Sequence, residues 1–319
     1  MPVAVVTDST AYLPDDAVDP VVTTGPDPRS SGVVRSDSDP RPAGVVRSDS
    51  DPSFTGCPQL TVVPLIVVVG GVQGLEGIEV SPADVTRAMT GHRVPVSTSR
   101  PAPEQFAATY RRLLDQGATG IVSVHLSAEL SGTVEAAEIA SAGFGDRVTV
   151  IDSRSTGMGL GFPALAAVRA AADGAELAEV GRATRDAIGR TSTFFYVDTL
   201  EFLRRGGRIN AAEALLGTAL SVKPILHVRD GTIAVREKVR TASRGLARLV
   251  DLALGAAGES RVDVAVHHLA APQRAQALAE ALAVRLGDRL CDRHVTEAGA
   301  AVGAHAGPGL ACVVVHRRP

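Results

Sequence analysis

Ile121-Val-Ser-Val124, a helix that begins near Ser131 and the segment Val148-Thr-Val-Ile151 together decide the fold class of this chain. The two short apolar runs predict strands, and the segment between them has helical character. A strand, a helix and a second strand in that order are typical of a parallel pair joined by a helical crossover. The sequence therefore predicts an α/β protein.

Two successive helices, predicted over Gly157–Ala172 and Ala175–Ile188, divide the chain. The first half repeats strand and helix, which predicts a mainly parallel sheet. The second half contains the hairpin signal Asp230-Gly231, which predicts a mixed sheet. We therefore expect two α/β domains, residues 1–157 and 158–319. The strands predicted in the second half are Thr193–Val197, Val222–His227, Thr232–Val235, Val262–Val266 and Ala311–Val315.

A repeated segment interrupts the first domain, between a strand within Met1–Asp8 and a strand predicted over Leu60–Val69. Gly32-Val-Val-Arg-Ser-Asp-Ser-Asp-Pro40 recurs word for word as Gly44–Pro52. A composition rich in Pro, Ser, Asp and Gly cannot bury enough apolar area to offset its ordering entropy. We predict that residues 20–58 form a disordered insertion.

Composition argues against several classes of protein. The apolar run Leu60–Val69 is shorter than the roughly 20 residues that a membrane-spanning helix needs. A net charge of -3 argues against general nucleic-acid binding, which requires a broad basic face. Cys57, Cys291 and Cys312 are far apart and have no metal-binding spacing. We therefore expect reduced thiols, no metal site and a cytoplasmic location.

Basic residues are concentrated in one region of the second half. Between Glu201 and Arg248 there are ten Lys or Arg against four Asp or Glu. Such a basic island indicates a surface for an anionic ligand or partner; the alternative is ordinary solvated side chains on helix faces. Two glycines end a helix predicted over Thr199–Arg205. Arg204, Arg205 and Arg208 are therefore expected to lie close together at the carbonyl end of that helix.

Hydroxyl side chains mark two predicted turns of the first domain. Ser97-Thr-Ser-Arg-Pro101 leads into one helix, and Leu126–Thr133 leads into another. Backbone N–H groups at such turns favour a carboxylate or a phosphate, and both turns are expected to open at the same sheet edge. The alternative is plain helix capping by Thr98 or Ser131.

Histidines are a second kind of candidate for residues that contact a ligand. His305 is framed by glycines and a proline in Gly303–Gly309, which predicts a tight loop close to a ligand. His267 and His268 are interpreted as exposed imidazoles at a strand end. A Ser/His hydrolase using Ser131 and His305 is the alternative function, although the sequence designates no third residue to orient the imidazole.

Nine motifs, in order along the chain, resemble the DegV family of bacterial fatty-acid-binding proteins. They are Val6–Pro14, Val63–Leu65, Thr98–Pro101, Leu130–Thr133, Ile151–Ser153 with Met158–Gly161, Thr199–Ile209, Lys223–Ile225, Arg240-Thr241 and His305–Gly309. The resemblance covers nearly the whole chain except the repeat insertion. It implies a long-chain fatty acid lying in a tunnel between two α/β domains. It implies neither a cofactor nor catalysis by this chain alone.

The resemblance also implies which residues bind the ligand and which contact a partner. The fatty-acid carboxylate would be held by Thr98, Ser99, Ser131 and Gly132, with His305 nearby. A separate fatty acid kinase subunit would phosphorylate the bound carboxyl group. Arg205, Arg208 and Arg240 would belong to the tunnel mouth and to the contact with that kinase. Transient contact with a membrane surface fits this role, and nucleic-acid binding does not.

This chain departs from the family pattern at three places. Arg100 stands where members usually carry Gln, and we expect it to bring a positive charge near the head group. Ala102 stands where members carry Ser and cannot cap the following helix, at a cost of about 1 kcal/mol. Gln73–Gly77 replaces the usual Tyr-x-Asp-Gly stretch, so contacts at the entrance are expected to differ.

Overall fold

The computed structural model describes residues 2–13, 21–23, 60–91, 94–209 and 222–319, which form two α/β domains. In chain order the strands are β1 (Ala4–Asp8), β2 (Val21–Thr23), β3 (Leu60–Val63), β4 (Ile66–Val69), β5 (Val72–Leu75), β6 (Val96–Ser99), β7 (Ile121–His125), β8 (Val148–Asp152), β9 (Thr191–Tyr196), β10 (Lys223–Arg229), β11 (Thr232–Val239), β12 (Val262–His268), β13 (Leu290–Glu297) and β14 (Ala311–Arg317). The α-helices are α1 (Pro82–Thr90), α2 (Pro103–Asp115), α3 (Thr133–Ser141), α4 (Met158–Ala172), α5 (Leu177–Gly189), α6 (Glu201–Arg205), α7 (Ala242–Ala257), α8 (Pro272–Leu286) and α9 (Ala300–Ala306).

The first domain is built on a five-stranded sheet in the order β2-β3-β1-β7-β8. All its neighbouring strands are parallel, which confirms the prediction of a mainly parallel sheet. On one face, Phe106 and Tyr110 of α2 pack against Val6 and Ile121. The helices α4 and α5 cover the opposite face. The sheet is therefore buried on both sides, as a parallel sheet requires.

The predicted disordered insertion differs from the structure at its beginning. Val21–Thr23 form the edge strand β2, which pairs in parallel with β3. Val-Val-Thr is a β-favouring triplet, and the open edge of β3 supplies its hydrogen-bonding partner. The repeat itself, residues 32–52, lies outside the described residues.

The apolar run Leu60–Val69, predicted as one strand, is two strands in two sheets. β3 belongs to the parallel sheet, whereas β4 joins β5 and β6 in a separate antiparallel sheet. The break falls at Pro64, which has no N–H group with which to continue a ladder. In the separate sheet, β6 runs antiparallel to β4, with Thr98 opposite Val67.

The second domain is built on a six-stranded sheet in the order β11-β10-β9-β14-β12-β13. Only β12 and β13 are parallel neighbours, so the predicted mixed sheet is confirmed. Asp230 and Gly231 both have positive φ, 52° and 84°, as the predicted two-residue hairpin turn requires. The edge strand β13 was not predicted, because its burial is only partial and its sequence, Leu-Cys-Asp-Arg-His-Val-Thr-Glu, is largely polar.

Two helices from the second half of the chain pack onto the first domain. α4 covers the parallel sheet and also contacts β9 and β14. Near the end of the chain, α9 packs against α1, β4 and β6, and its residues Ala300, Ala301 and Ala304 belong to the same core as Val5. The domain boundary between residues 157 and 158 stays a prediction.

Gly161 lets α4 approach the turn that follows β1. A Cβ atom at this position would lie 2.7 Å from the carbonyl oxygen of Ala11 and would also meet the sulfur of Met158. Gly161→Ala is expected to lower the free energy of unfolding by about 1–3 kcal/mol through overpacking. Urea denaturation measures this change.

Gly255→Ala provides the matched control, because nothing lies within 4 Å of a Cβ at that position inside α7. We expect it to raise stability by about 0.5–1 kcal/mol, since alanine is the better helix former. Equal stability of Gly161→Ala and the unmodified protein would contradict the close approach of α4.

Candidate functional site

A cavity lies where the two domains meet, and we call it the interdomain pocket. The first domain contributes Leu65, Leu126 and Leu130 to its lining, and the second contributes Phe195, Ile233 and Leu310. Mainly apolar walls with a few polar side chains are typical of a site for a small organic ligand.

Thr98 and His305 meet at one end of the interdomain pocket. Successive side chains of a strand point to opposite faces, so Thr98 turns inward from β6 while Ser99 is exposed on the other side. The hydroxyl oxygen of Thr98 lies 2.8 Å from Nε2 of His305. His305 is in the last turn of α9 rather than on the predicted tight loop. The glycine signal marks the end of this helix, at Gly307 with φ 78°.

His305 is a neutral imidazole in this environment. Burial, together with the positive charge of Arg208, lowers its pKa to about 4. Its Nδ1 atom is shielded from solvent and has no hydrogen-bond partner among the described residues. Gly206 covers that atom, since a Cβ at position 206 would collide with it. The ring therefore turns Nε2 toward Thr98.

Ser131 lines the same pocket, in the turn just before α3. Its hydroxyl lies 2.9 Å from that of Thr133. The residue that caps α3 is Gly132, and Thr98 is inside a strand, so the helix-capping alternative is wrong for both Ser131 and Thr98. Ser131 is thus a pocket hydroxyl, whereas Gly132 itself does not line the cavity.

The three arginines expected to cluster at the end of α6 have different surroundings. Arg208 turns into the pocket, where Nε donates to the carbonyl oxygen of Leu130 at 3.0 Å. Burial lowers its pKa, but an arginine stays protonated at neutral pH. Arg205 points outward and forms an ion pair with Glu201. Arg204 and Arg240 are exposed, Arg240 directly after β11.

Arg100 and Ala102, two of the departures from the family pattern, make contacts with nearby residues. Arg100 is exposed, forms an ion pair with Glu135 and donates to the carbonyl oxygen of Gly132 at 3.3 Å. Its charge is therefore partly neutralised at the start of α3 rather than directed into the pocket. Ala102 supplies no cap, and instead its N–H donates to the side chain of Gln105 at 2.9 Å.

The pocket contains a first group of polar residues, Thr98, Ser131, Arg208 and His305, and a second group that was not predicted. Its members are Thr10, Tyr12, Thr156, Thr193 and His267. His267 is buried rather than exposed, and its Nε2 accepts the N–H of Met158 at 3.0 Å. Burial lowers the pKa of His267 to about 4. Because these residues come from four separate segments, no local sequence pattern joins them.

A buried carboxyl group fixes this second polar group to α9. Glu76 accepts hydrogen bonds from the hydroxyls of Ser9 and Tyr12 and from the N–H of Ala301, the last at 2.8 Å. Burial raises the pKa of Glu76. Tyr12, which has φ 46°, also accepts the N–H of Val302 at 3.2 Å. The start of α9 is thereby attached to the first domain.

The hydrolase alternative finds little support in the geometry. The hydroxyl of Ser131 pairs with that of Thr133, and His305 pairs with Thr98, so this serine and this histidine are not paired with each other. A chain of carboxylate, imidazole and hydroxyl does exist, formed by Asp8, His125 and Ser123. All three are fully buried in the first domain and do not line the pocket. The hydrogen bonds among Asp8, His125 and Ser123 therefore belong to the interior of the first domain rather than to the pocket.

None of the helices in the described parts of the chain combines the length and the apolar character that a membrane crossing requires.

Comparison with known proteins identifies the family. A family model described as an uncharacterised protein of the DegV family matches residues 48–318. A DegV domain-containing protein of Streptomyces coelicolor is 51% identical over 259 residues, which are 81% of this chain and 92% of the relative. One from Mycobacterium tuberculosis is 42% identical over 254 residues, 79% of this chain and 88% of the relative.

Solved structures agree with the sequence relatives. A DegV family protein from Thermus thermophilus, described by its fatty acid binding, superposes with a TM-score of 0.81 at 27% identity and full coverage of both chains. DegV of Bacillus subtilis, described as a fatty acid binding protein, gives a TM-score of 0.78 at 26% identity, also with full coverage. The motifs, the two domains and these relatives lead to one conclusion: the chain belongs to the DegV family.

Proposed function

We propose that this protein binds a long-chain fatty acid in the interdomain pocket. The observation that carries the proposal is a cavity with mainly apolar walls and two hydroxyls, an imidazole and a guanidinium gathered at one end. That combination suits a ligand with a long apolar tail and one anionic head. The fatty-acid-binding relatives from Thermus thermophilus and Bacillus subtilis support the same ligand class.

The tail supplies the affinity. Burying about fifteen methylene groups at roughly 0.8 kcal/mol each contributes on the order of 12 kcal/mol before association costs. Those costs consume a large part of this gain, yet the remainder is sufficient for tight binding. Apolar side chains from both domains surround the tail.

The head needs hydrogen bonds, because a stranded carboxylate in an apolar site is unstable. Thr98 can donate its proton to the carboxylate when Nε2 of His305 carries the ring proton and donates to Thr98 in turn. Ser131 supplies a second hydroxyl, and Arg208 supplies the charge that balances the carboxylate. Ser99 and Gly132 stay predicted carboxylate contacts.

We further propose that the protein is a carrier without catalytic activity of its own and without a cofactor. A separate kinase subunit would phosphorylate the presented carboxyl group. Exposed Arg205 and Arg240 are the proposed contacts for that subunit, since they are basic and lie on the surface. The cytoplasmic location and a transient contact with a membrane surface stay predictions.

Mass spectrometry of extracted lipid tests the central proposal. Recombinant protein is expected to co-purify with a long-chain fatty acid, or to bind one when it is added after delipidation. Preparations that carry no lipid and take up none would overturn the proposal.

Ser131→Ala tests the head-group site. Loss of one hydrogen bond to a carboxylate is expected to weaken fatty-acid binding about tenfold. Ser97→Ala is the matched control, since Ser97 is exposed on β6, and its affinity is expected to be unchanged. Fluorescent fatty-acid displacement measures both, and Ser99→Ala in the same assay tests whether Ser99 contributes. Equal affinity of Ser131→Ala and the unmodified protein would exclude Ser131 from the site.

A further inference from the structure

Gly206 and Gly207 follow α6, and the structure accounts for them in different ways. Gly207 has φ 69°, in the left-handed region that favours glycine. Gly206 has φ -75° and ψ -10°, values that any residue can adopt. The backbone conformation therefore explains the glycine at position 207 but not the one at position 206.

The imidazole of His305 occupies the space that a side chain at position 206 would need. A Cβ atom there would overlap Nδ1 of the ring and would lie 3.0 Å from its Cε1 atom. The other ring nitrogen, Nε2, lies 2.8 Å from the hydroxyl oxygen of Thr98. The ring is thus held between Gly206 and Thr98, and a methyl group at position 206 would disturb its pairing with Thr98.

The backbone at Gly206 cannot withdraw from His305 without disturbing another member of the first group of polar residues. The carbonyl oxygen of Gly206 accepts a hydrogen bond from Nη1 of Arg208, whose Nε donates to the carbonyl oxygen of Leu130 at 3.0 Å. These two bonds orient the guanidinium in the pocket. A shift of the Gly206 backbone would therefore move Arg208, so either way of relieving the overlap changes the polar end of the pocket.

We propose that Gly206 is a positioning residue for the fatty-acid head group, because its lack of a side chain gives His305 the place from which it pairs with Thr98. Gly206 acts through these side chains and does not itself need to touch the ligand. The inference rests on the proposed fatty-acid function and adds a residue on which the affinity for the carboxylate depends. Any side chain at position 206 is expected to weaken binding.

Gly206→Ala tests the inference with octadecanoic acid as the ligand. Delipidated variant protein is expected to bind it about tenfold more weakly than the unmodified protein, as for the loss of one hydrogen bond to a charged group. Displacement of a fluorescent fatty acid measures the affinity.

The imidazole of His305 gives a readout that a purely structural glycine would not change. In the unmodified protein burial, together with the charge of Arg208, lowers its pKa to about 4. In Gly206→Ala the ring is expected to leave this buried place, so its pKa should rise toward the ordinary value of about 6.5. Nuclear magnetic resonance of the histidine rings measures the pKa, with His305→Ala identifying the signal.

A double variant isolates the contact between the two residues. In His305→Ala the ring is absent and a methyl group at position 206 has room. Adding Gly206→Ala to His305→Ala is therefore expected to change the affinity less than about twofold. A further tenfold loss in the double variant would overturn the inference, and this comparison remains decisive if Gly206→Ala alone folds poorly.

Gly207→Asn is the matched control. Asparagine tolerates the left-handed conformation, and Gly207 is exposed, with no atom of the described residues within 4 Å of a Cβ at that position. Its affinity for octadecanoic acid is expected to stay within about twofold of the unmodified protein. An equal loss in Gly207→Asn and Gly206→Ala would assign the effect to general distortion of the segment and would contradict the positioning role.

The outcomes separate the two proposals. If Gly206→Ala binds octadecanoic acid as tightly as the unmodified protein, the inference fails while the proposed function stands. If the unmodified protein binds no octadecanoic acid, the proposed function fails and the inference fails with it.

Discussion

Asp8→Ala is expected to lower the free energy of unfolding by about 3–5 kcal/mol, the range for breaking a buried charged network. The carboxylate of Asp8 is fully buried and accepts from Thr10, from the N–H of Leu126 at 2.9 Å and from the imidazole of His125 at 3.1 Å. Alanine would leave these donors buried without a partner. Equilibrium urea denaturation followed by circular dichroism measures the loss.

Two further variants make the Asp8 result specific. Asp115→Ala removes an exposed carboxylate at the end of α2 and is expected to change stability by less than about 0.5 kcal/mol. Asp8→Asn keeps the volume and one acceptor oxygen, so its loss should fall between the two. An Asp8→Ala protein within about 1 kcal/mol of the unmodified one would show that the network contributes little.

Arg208→Met is expected to weaken fatty-acid binding about 10- to 100-fold, because a charge-assisted hydrogen bond contributes about 1.5–3 kcal/mol. Methionine keeps much of the apolar length of the side chain and removes its charge. Isothermal titration with one fatty acid measures the change.

Arg205→Met provides the contrast within the same basic island. Arg205 points outward to Glu201, so its replacement is expected to change fatty-acid affinity less than threefold, in line with the small effect of an exposed ion pair. Equal losses in the two variants would mean that the basic island acts through general electrostatic attraction. That result would contradict a direct contact between Arg208 and the carboxylate.

Local patterns were sufficient to predict the fold class. Short apolar runs alternating with helical stretches predicted the parallel sheet, and Asp230-Gly231 predicted the hairpin, because both features depend on neighbouring residues. The division of Leu60–Val69 at Pro64 escaped prediction since an unbroken apolar run hides a change of sheet. β13 was not predicted from the sequence, because an edge strand with a polar face has weak apolar alternation.

The candidate site was predictable only in part. The motifs indicated Thr98, Ser131 and His305, and the structure places all three at the pocket. The different orientations of Arg205 and Arg208 were not predictable, because the two glycines between them leave the direction of each side chain open. Thr156 carries no motif of its own, and only tertiary packing brings it to the pocket.

The position of α9 has a consequence for biosynthesis. Its alanines complete a core that includes Val3 and Val5, and the N–H of Ala301 donates to the carboxyl group of Glu76. The first domain can therefore complete this core only after Ala300–Ala306 have been synthesised. Until then the apolar surface that α9 covers lacks its packing partner, a condition that promotes aggregation of partly folded chains.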